Sequence, residues 1–403
     1  MTTHLKSFLL PAAIVVLFAC SEAPQANYLE DAPVVATRTV PDGEEFIELD
    51  PSLLKDTVIF PLSYFTEELQ FIKLDDRDEA LVSPYRVYAS ENYFLTHASG
   101  TTPCKLFDKQ GKYLADIGSF GQGPGEYRFL YAGQIDESAG RIYLMPYTTE
   151  SLLAYDLEGN VLPPVPLAHK ANKSLFLVRG NELLVMGEPH PELPSFIWVQ
   201  DMKGDKLYDI SSSLDFPFDY STDVFSYRNG EAIDFSHWTW KPRTDSLYHI
   251  DPVKKKLIPR FTANFKGEAL KPHMYTEWPD YFLGNTSTIV TVSMTDESGN
   301  MQRRQEGDKP AYYIVDKKTL KGAYFGLVND FFGEERLNDP IFVFKNGYYL
   351  TCVDPGDLEE RIEKALASDR LSDKMRQKLT ELQANMTVND NNYILYAKLK
   401  GVE

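Results

Sequence analysis

Short stretches in which apolar and polar residues alternate recur along the chain, and several of them run into an aspartate followed by a turn sequence. Alternation with a period of two is typical of β-strands that bury one face. An aspartate at the end of such a strand can accept hydrogen bonds from the turn backbone, and a glycine often follows it. The predicted hairpins are centred on Asp108, Asp156, Asp201, Asp251 and Asp316.

The spacing of these hairpins indicates a repeated unit. The first four aspartates recur at intervals of roughly 45 to 50 residues, the range of a propeller repeat, and the last interval is wider. Further β-rich segments, such as 141–145 and 182–186, precede the hairpins. Four antiparallel strands in a unit of about 40 to 50 residues are typical of a β-propeller blade. The sequence therefore predicts an all-β fold, a six-bladed β-propeller with four-stranded antiparallel blades.

The sixth blade has to be assembled from both ends of the chain. Residues 341–345 and 348–353 predict its inner strands, and residues 392–399 predict a third strand. Residues 69–74 alternate suitably for the fourth, so an N-terminal strand closes the last blade and removes the open sheet edge.

A small helical insertion interrupts this last blade near the C-terminus. Residues 357–386 carry apolar side chains at helical spacing, with Asp357 and Ser372 placed as N-caps of two amphipathic helices. We expect the helices to cover the flank of the propeller, and a partner-docking surface is the alternative.

The amino terminus predicts export and lipid attachment. Residues 1–19 hold one lysine and an apolar run too short to span a bilayer, which is typical of a signal peptide. Residues 17–20, LFAC, resemble the lipobox of bacterial lipoproteins, so Cys20 is the expected lipid attachment site and a lipid membrane is an expected partner. A plain secretory signal with a coincidental cysteine is the alternative.

The remaining domain boundaries follow from this interpretation. Residues 20–45 contain scattered prolines and no sustained period, which predicts a lipidated tether, and residues 46–403 form the propeller. Ser21 after the cysteine resembles the outer-membrane pattern of Gram-negative lipoproteins. We therefore expect a lipid anchor in the outer membrane, on its periplasmic or its cell-surface side.

Composition changes the picture mainly through charge. The chain has 41 basic and 59 acidic residues, a net charge of −18, which repels phosphate backbones, so we expect no nucleic-acid partner. Hydrophobic residues make up 43% of the 403 residues, which is sufficient for a large core.

A glycine-rich segment follows the first predicted hairpin. Residues 116–127, DIGSFGQGPGEY, lack the Lys-Ser/Thr pair of a nucleotide loop and precede no helical pattern, so they predict a tight crossover between blades. Together with the lipobox, the helical pair and the closing strand, this segment resembles the six-bladed β-propeller family of bacterial lipoproteins, which is similar to NHL-repeat propellers. The resemblance implies a fold and an address but no reaction. The motif residues are Gly121, Gly123, Pro124, Gly125, Glu126 and Tyr127.

Local motifs give no catalytic or metal site. The compact cluster around His190, EPHPE, is better explained as a solvated loop, and no Gly-x-Ser-x-Gly nucleophile elbow is present. We predict no cofactor, while a divalent ion in the central channel stays open. Cys104 and Cys352 fall in blades that become neighbours on closure, so a disulfide and two buried thiols are both open.

The most suggestive side chains are aromatic. Tryptophan and tyrosine beside histidine and arginine on exposed loops would stack on sugar rings or hold a peptide, and packing between blades is the alternative. The candidate ligand-binding residues are His237, Trp238, Trp240, Arg243, Trp278 and Tyr281.

These observations favour a binding or scaffolding propeller with a glycan or peptide ligand. A propeller enzyme of the metal-assisted lactonase or lyase type and a structural accessory of an envelope protein complex are the alternatives.

Overall fold

In a computed structural model, the described residues are 26–98, 100–188, 195–212, 222–239, 244–266, 271–295 and 301–402. They form a six-bladed β-propeller, as predicted. Each blade is built on four antiparallel strands, the first at the central channel and the fourth towards the rim. We call the side on which the innermost strands begin the upper face, and the opposite side the lower face.

The first four strands belong to the N-terminal segment, and blades 1 to 3 follow it. The N-terminal strands are β1 (Ala36–Thr39), β2 (Phe46–Leu49), β3 (Thr57–Pro61) and β4 (Gln70–Lys73). Blade 1 contains β5 (Pro84–Ala89), β6 (Tyr93–Ala98), β7 (Cys104–Asp108) and β8 (Tyr113–Ile117), and a crossover with β9 (Ser119–Phe120) and β10 (Glu126–Tyr127) follows it. Blade 2 contains β11 (Leu130–Asp136), β12 (Arg141–Pro146), β13 (Thr148–Asp156) and β14 (Val161–Asn172). Blade 3 contains β15 (Leu175–Arg179), β16 (Glu182–Met186), β17 (Ile197–Asp201) and β18 (Lys206–Asp209).

Blades 4 to 6 carry additions. Blade 4 contains β19 (Asp223–Phe225), β20 (Asp234–Trp238), β21 (Leu247–Asp251) and β22 (Lys256–Ala263). Blade 5 contains β23 (His273–Trp278), β24 (Tyr281–Thr286), an inserted hairpin of β25 (Ile289–Thr295) and β26 (Met301–Gly307), then β27 (Ala311–Asp316), β28 (Gly322–Asn329) and the short β29 (Glu335–Arg336). Blade 6 contains β30 (Phe344–Lys345), β31 (Tyr348–Val353) and β32 (Tyr393–Lys398). The inserted hairpin lies between the last two predicted aspartate hairpins, which accounts for their wider spacing.

The closing strand is confirmed. Strand β4 pairs antiparallel with β32, with Phe71 opposite Leu395, and it is the outermost strand of blade 6. The predicted innermost strand at 341–345 is shorter than expected. Residues Pro340–Phe342 form a 3₁₀ turn with Ile341 buried, so only β30 pairs with β31.

The tether prediction is wrong from Leu29 onward. Strand β1 pairs with β2, and β2 extends blade 4 by pairing parallel with β22, while β3 pairs parallel with β28 of blade 5. Leu29 and Val35 are buried in the core because these added strands cover the rims of the two blades. The prolines of this segment interrupt the alternating pattern, so the sequence did not predict the short strands. Cys20 and the rest of the predicted signal peptide lie outside the described residues.

The aspartate hairpins are confirmed as the repeated element. Asp108 Oδ1 accepts from the backbone amides of Gln110 and Lys112, and Asp156 Oδ1 does the same with Glu158 and Asn160. The other three aspartates accept turn amides in the same way.

The glycine in such a hairpin has a second function. Gly111 and Gly159 have φ of 84° and 85°, and a Cβ on either would lie 2.0 or 2.4 Å from a carbonyl oxygen in the outer strand of the preceding blade. These glycines therefore let one blade overlap the next.

The helical insertion lies between the second and third strands of blade 6. Its helices are α2 (Pro355–Ala367) and α3 (Asp373–Asn385), and a short α1 (Leu62–Phe65) precedes β4. Ser372 caps α3 as predicted, but α2 begins earlier, because Asp354 accepts from the Gly356 amide and caps it instead of Asp357.

The other 3₁₀ turns are Pro41–Gly43, Pro51–Leu53, Asp78–Ala80 and Asp330–Phe332.

Leu358, Ile362 and Leu379 of the long helices are fully buried in one core cluster with blades 5 and 6, so this face of the helices covers the propeller. Within the described ranges, no helix is long and apolar enough to cross a membrane.

Cys104 and Cys352 are free thiols. Cys104 packs in the cluster between blades 1 and 2, whereas Cys352 packs against the cluster between blades 6 and 1. The disulfide alternative is therefore wrong, since the side chains face different blade interfaces. Burial raises the pKa of each thiol to about 12.

Candidate binding pocket at the channel mouth

The predicted residues His237 and Trp238 lie at the upper end of β20. His237 is buried, and its Nδ1 lies 4.0 Å from Oδ2 of Asp245. Oδ1 of Asp245 accepts a hydrogen bond of 2.9 Å from the Tyr248 hydroxyl. Trp238 is partly exposed. Trp240 and Arg243 lie outside the described residues. Ligand binding by this group stays a prediction.

Trp278 and Tyr281 flank the turn between β23 and β24 on the lower face, away from β20's upper end. Trp278 has 0% exposure and packs edge-on against the rings of Phe65 and Phe344, at centroid distances of 4.7 and 4.8 Å. The hydroxyl of Tyr281 lies 2.9 Å from that of Tyr64. The expectation that Trp278 is an exposed stacking ring is wrong, because the N-terminal segment covers it.

The glycine-rich segment forms the crossover from blade 1 to blade 2. Glu126 Oε2 accepts from the Gly123 amide at 2.7 Å, and a Cβ on Gly121 would lie 1.9 Å from the same oxygen. The Tyr127 hydroxyl accepts from the Cys104 amide at 2.7 Å and donates to the Ile117 carbonyl at 3.0 Å. These bonds fix the direction in which the next two residues of the chain point.

Those two residues, Arg128 and Phe129, line a pocket of ≈ 730 Å³ on the upper face. Its lining comes from blades 1 and 2 and from the beginnings of the innermost strands of blades 3 and 4. It therefore lies at the mouth of the central channel. The lining residues are Arg86, His97, Ala98, Gly100, Tyr127, Arg128, Phe129, Leu130, Tyr131, Tyr147, Lys173 and Asp223.

Hydrogen bonds along blade 2 and one between two blades hold the wall of this mouth pocket. The Tyr147 amide donates to the Phe129 carbonyl at 2.9 Å, and the Lys173 amide donates to the Tyr147 carbonyl at 2.8 Å. The Tyr131 hydroxyl donates to Asp223, which joins blade 2 to blade 4 across the mouth. The wall is thus built by backbone contacts as well as by side chains.

Two aromatic side chains of the pocket are exposed. Phe129 is 73% exposed and Tyr147 is 41% exposed, although both are large apolar side chains. The rings of Tyr131 and Tyr147 meet edge to face at a centroid distance of 6.0 Å. An exposed ring whose backbone is fixed by hydrogen bonds is suited to stacking on a sugar or packing on a peptide side chain.

The charges of the pocket are opposite in sign to that of the whole chain. Among the described lining residues, Arg86, Arg128 and Lys173 are cationic and Asp223 is the single carboxylate. Burial and the charge of Arg86 lower the pKa of His97 to about 4, so this imidazole is neutral at pH 7.

A buried carboxylate supports Lys173 from below. Glu188 Oε1 accepts from the Thr222 hydroxyl at 2.9 Å and lies 3.5 Å from Lys173 Nζ, which donates to the Thr222 carbonyl at 3.0 Å. Burial raises the pKa of Glu188 despite the hydrogen bond from Thr222 and the charge of Lys173. The lysine head group is thus fixed at the junction of blades 3 and 4.

Comparison with known proteins identifies the family. The family model for DUF4934, a domain of unknown function, matches residues 45–398. The chain belongs to the DUF4934 family. No curated protein matches it.

One solved structure shares the fold of this DUF4934 protein, and a second is more distantly similar. A Bacteroides fragilis protein described as exported is 16% identical, with a TM-score of 0.53, and the match covers 86% of this chain and 100% of that chain. A DUF4221 family member from Bacteroides vulgatus is 9% identical, with a TM-score of 0.43, over 83% of this chain and 97% of that chain. At so low an identity, the first likeness shows the fold alone.

The described part of the DUF4934 chain contains no group of three or more His, Cys, Asp or Glu side chains arranged to hold a metal ion. His190 lies outside that part. The prediction of no cofactor and the open question of a divalent ion in the channel are therefore unchanged.

Sequence reasoning missed the cations of the mouth pocket because they lie far apart along the chain, in separate blades. A signal was present in their positions. Arg86, Arg128 and Lys173 each lie two positions from the beginning of an innermost strand, and Asp223 begins another. In a propeller these strand beginnings meet around the axis, so polar residues at them converge.

Proposed function

We propose that this DUF4934 protein is an exported, lipid-anchored propeller that binds a glycan or a peptide in the mouth pocket. The observation that carries the proposal is the combination of exposed aromatic rings with cationic side chains in one concave site. Ligand sites in proteins are typically concave, largely apolar and equipped with a few polar groups that orient the ligand.

The charge of the pocket narrows the ligand class. A net charge of −18 repels anions at long range, whereas three cations at the mouth attract them at short range. The favoured ligand therefore carries a carboxylate, as an acidic sugar or a peptide C-terminus does. Arg128 is the cation best placed for a first contact, since it is exposed beside Phe129.

The binding test uses a soluble form that starts at Ser21, after the proposed lipid site. Thermal unfolding and calorimetry would compare neutral oligosaccharides, uronic-acid oligosaccharides, and peptides with free or amidated C-termini. Binding raises the unfolding temperature by mass action. We expect acidic ligands to bind, and we expect Arg128→Gln to lower their affinity about tenfold.

Arg141→Gln is the matched control, because Arg141 is exposed on the lower face at the beginning of β12. Equal loss of affinity in both variants would indicate a general charge effect and contradict the pocket assignment. Absence of binding by every glycan and peptide would contradict the proposed function.

Lipid anchoring at Cys20 in the outer membrane is the second part of the proposal. The lipobox resemblance supports it, and so does the similarity to a protein described as exported. Metabolic labelling with a fatty acid should mark the wild-type chain and not Cys20→Ala, and the wild-type chain should fractionate with the outer membrane. Unlabelled wild-type protein would indicate the plain secretory alternative.

A further inference from the structure

Two turns from non-neighbouring blades meet across the lower end of the central channel. One follows β19 in blade 4 and the other joins β30 to β31 in blade 6. Asn229 Nδ2 donates to the Phe344 carbonyl at 2.9 Å, and Asn229 Oδ1 accepts from the Gly347 amide at 3.1 Å. The Asn346 amide donates to the Tyr227 carbonyl at 2.7 Å. Since Asn229 is buried, these turns cover this part of the channel from below.

Each of the two turns brings a cation to this closed end. Lys345 Nζ lies 5.6 Å from the ring centroid of Tyr88, which shares a face of β5 with Arg86, two residues away. The Nε of Arg228 is buried and has no hydrogen-bond partner within the described ranges. Burial, together with the charges of Arg228 and Arg86, lowers the pKa of Lys345 to about 7.

A carboxylate, Asp234, lies near these cations and already accepts three hydrogen bonds. Asp234 accepts from the amides of Tyr227 and Arg228 at 3.0 and 2.7 Å and from the Ser226 hydroxyl at 3.2 Å. It stabilises the turn and offsets part of the positive charge. Even with Asp223 of the mouth pocket counted beside Asp234, the three cations leave a net positive charge at this end of the channel, in surroundings where electrostatic interactions are strong.

We propose that Lys345, Arg228 and Arg86 form an anion site at the closed end of the channel, which binds the carboxylate or phosphate group of a ligand that enters through the mouth pocket. The proposal rests on the proposed function, because this site would bind the part of the same ligand that reaches furthest into the channel. Arg86 connects the two levels, since it lines the mouth pocket and shares a face of β5 with Tyr88, whose ring lies next to Lys345 Nζ.

The test titrates the Ser21 form at pH 6.5 with inorganic phosphate, glucuronate and glucose. We expect at least one anion to bind and glucose not to bind, and the anion that binds identifies the group as phosphate or carboxylate. Lys345→Met should lower the affinity for that anion at least tenfold. Lys345→Arg should keep the affinity within about threefold of wild type, which is less than about 1 kcal/mol.

Lys318→Met is the control, because Lys318 is exposed in the outer hairpin of blade 5 and the change removes the same charge. The proposal is overturned if no anion binds the wild-type chain or if Lys345→Met binds it unchanged.

A second measurement needs no variant. Acetylation of Lys345 in the wild-type chain, followed by mass spectrometry, should slow several-fold when the anion is added, while that of Lys318 should not. Equal rates with and without anion would overturn the proposal even if Lys345→Met failed to fold.

The two proposals can fail separately. If the deep site is wrong, glycans or peptides still bind and remain sensitive to Arg128→Gln while Lys345→Met has no effect. If the mouth pocket is wrong, Arg128→Gln has no effect on any ligand, and small anions still depend on Lys345.

Discussion

Two aromatic regions of the propeller differ in solvent exposure, one being buried and the other exposed. The tryptophan-containing turn of blade 5 is the more conspicuous in the sequence, yet Trp278 is fully buried. The crossover between blades 1 and 2 attracts attention only for its glycines, yet it presents Phe129 at 73% exposure beside the channel mouth. The difference shows that the chain around an aromatic residue, rather than its size, decides whether a ligand can reach it.

The N-terminal segment causes the difference. Phe60 and Phe65 belong to the same core cluster as Trp278, and Phe65 is in ring contact with it. The crossover between blades 1 and 2 receives no such added strand in the described structure. Instead, the bonds of Glu126 and Tyr127 hold it in place while the side chains that follow face solvent.

The largest expected effect is on the buried side of this comparison. Trp278→Ala should lower the free energy of unfolding by about 3–5 kcal/mol, because it leaves a cavity in a core of aromatic rings. Chemical denaturation would measure the loss. Ligand affinity of the folded variant should equal that of wild type, and a selective loss of affinity without destabilisation would restore Trp278 as a ligand-binding residue.

The next effect concerns the contact between blades 4 and 5. Glu277 contacts His249 of blade 4 and lies 2.6 Å from Lys317 Nζ of its own blade. Burial opposes ionisation of Glu277, but the hydrogen bond from His249 and the charge of Lys317 prevail and lower its pKa to about 2 from 4.5. Its contribution to stability is therefore complete above about pH 5 and is lost as the pH falls towards 2.

Glu277→Gln should remove this contribution, on the order of a few kcal/mol at pH 7. The difference in unfolding free energy between wild type and variant should shrink between pH 5 and pH 2. Glu158→Gln, an exposed change in a hairpin of blade 2, provides the control. A constant difference across this pH range would show that Glu277 is not ionised against its partners.

The repeat was predictable because each blade has its own local signal. The alternating strands, the aspartate hairpins and the closing strand 69–74 all depend on short-range patterns, and all were found. The added strands β1 to β3 were missed because β2 and β3 pair with strands of blades 4 and 5, far along the chain, and prolines interrupt their alternation.

The mouth pocket was missed for a related reason. Its cations come from separate blades and converge only after the propeller closes, so no local motif contains two of them. Burial of Trp278 likewise depends on Phe65, which precedes the predicted closing strand and for which the sequence pattern predicted no contact with blade 5. Long-range pairing, rather than local propensity, decided both outcomes.

The smallest expected effect on stability lies on the exposed side of the comparison. Phe129→Ala should change the free energy of unfolding by no more than about 0.5 kcal/mol, since the ring is 73% exposed. It should nevertheless lower the affinity for an acidic glycan or peptide about tenfold, or about 1.4 kcal/mol, because the aromatic contact surface is lost. Calorimetric titration would measure the affinity.

Phe120→Ala is the matched control for this change. Phe120 lies in the same crossover and is 42% exposed, but it does not line the pocket. If both phenylalanine variants weaken binding equally, the crossover acts through its conformation and not through a ring at the mouth. If only Phe129→Ala weakens it, the exposed ring itself contacts the ligand, and the contrast with the buried Trp278 holds at the level of single side chains.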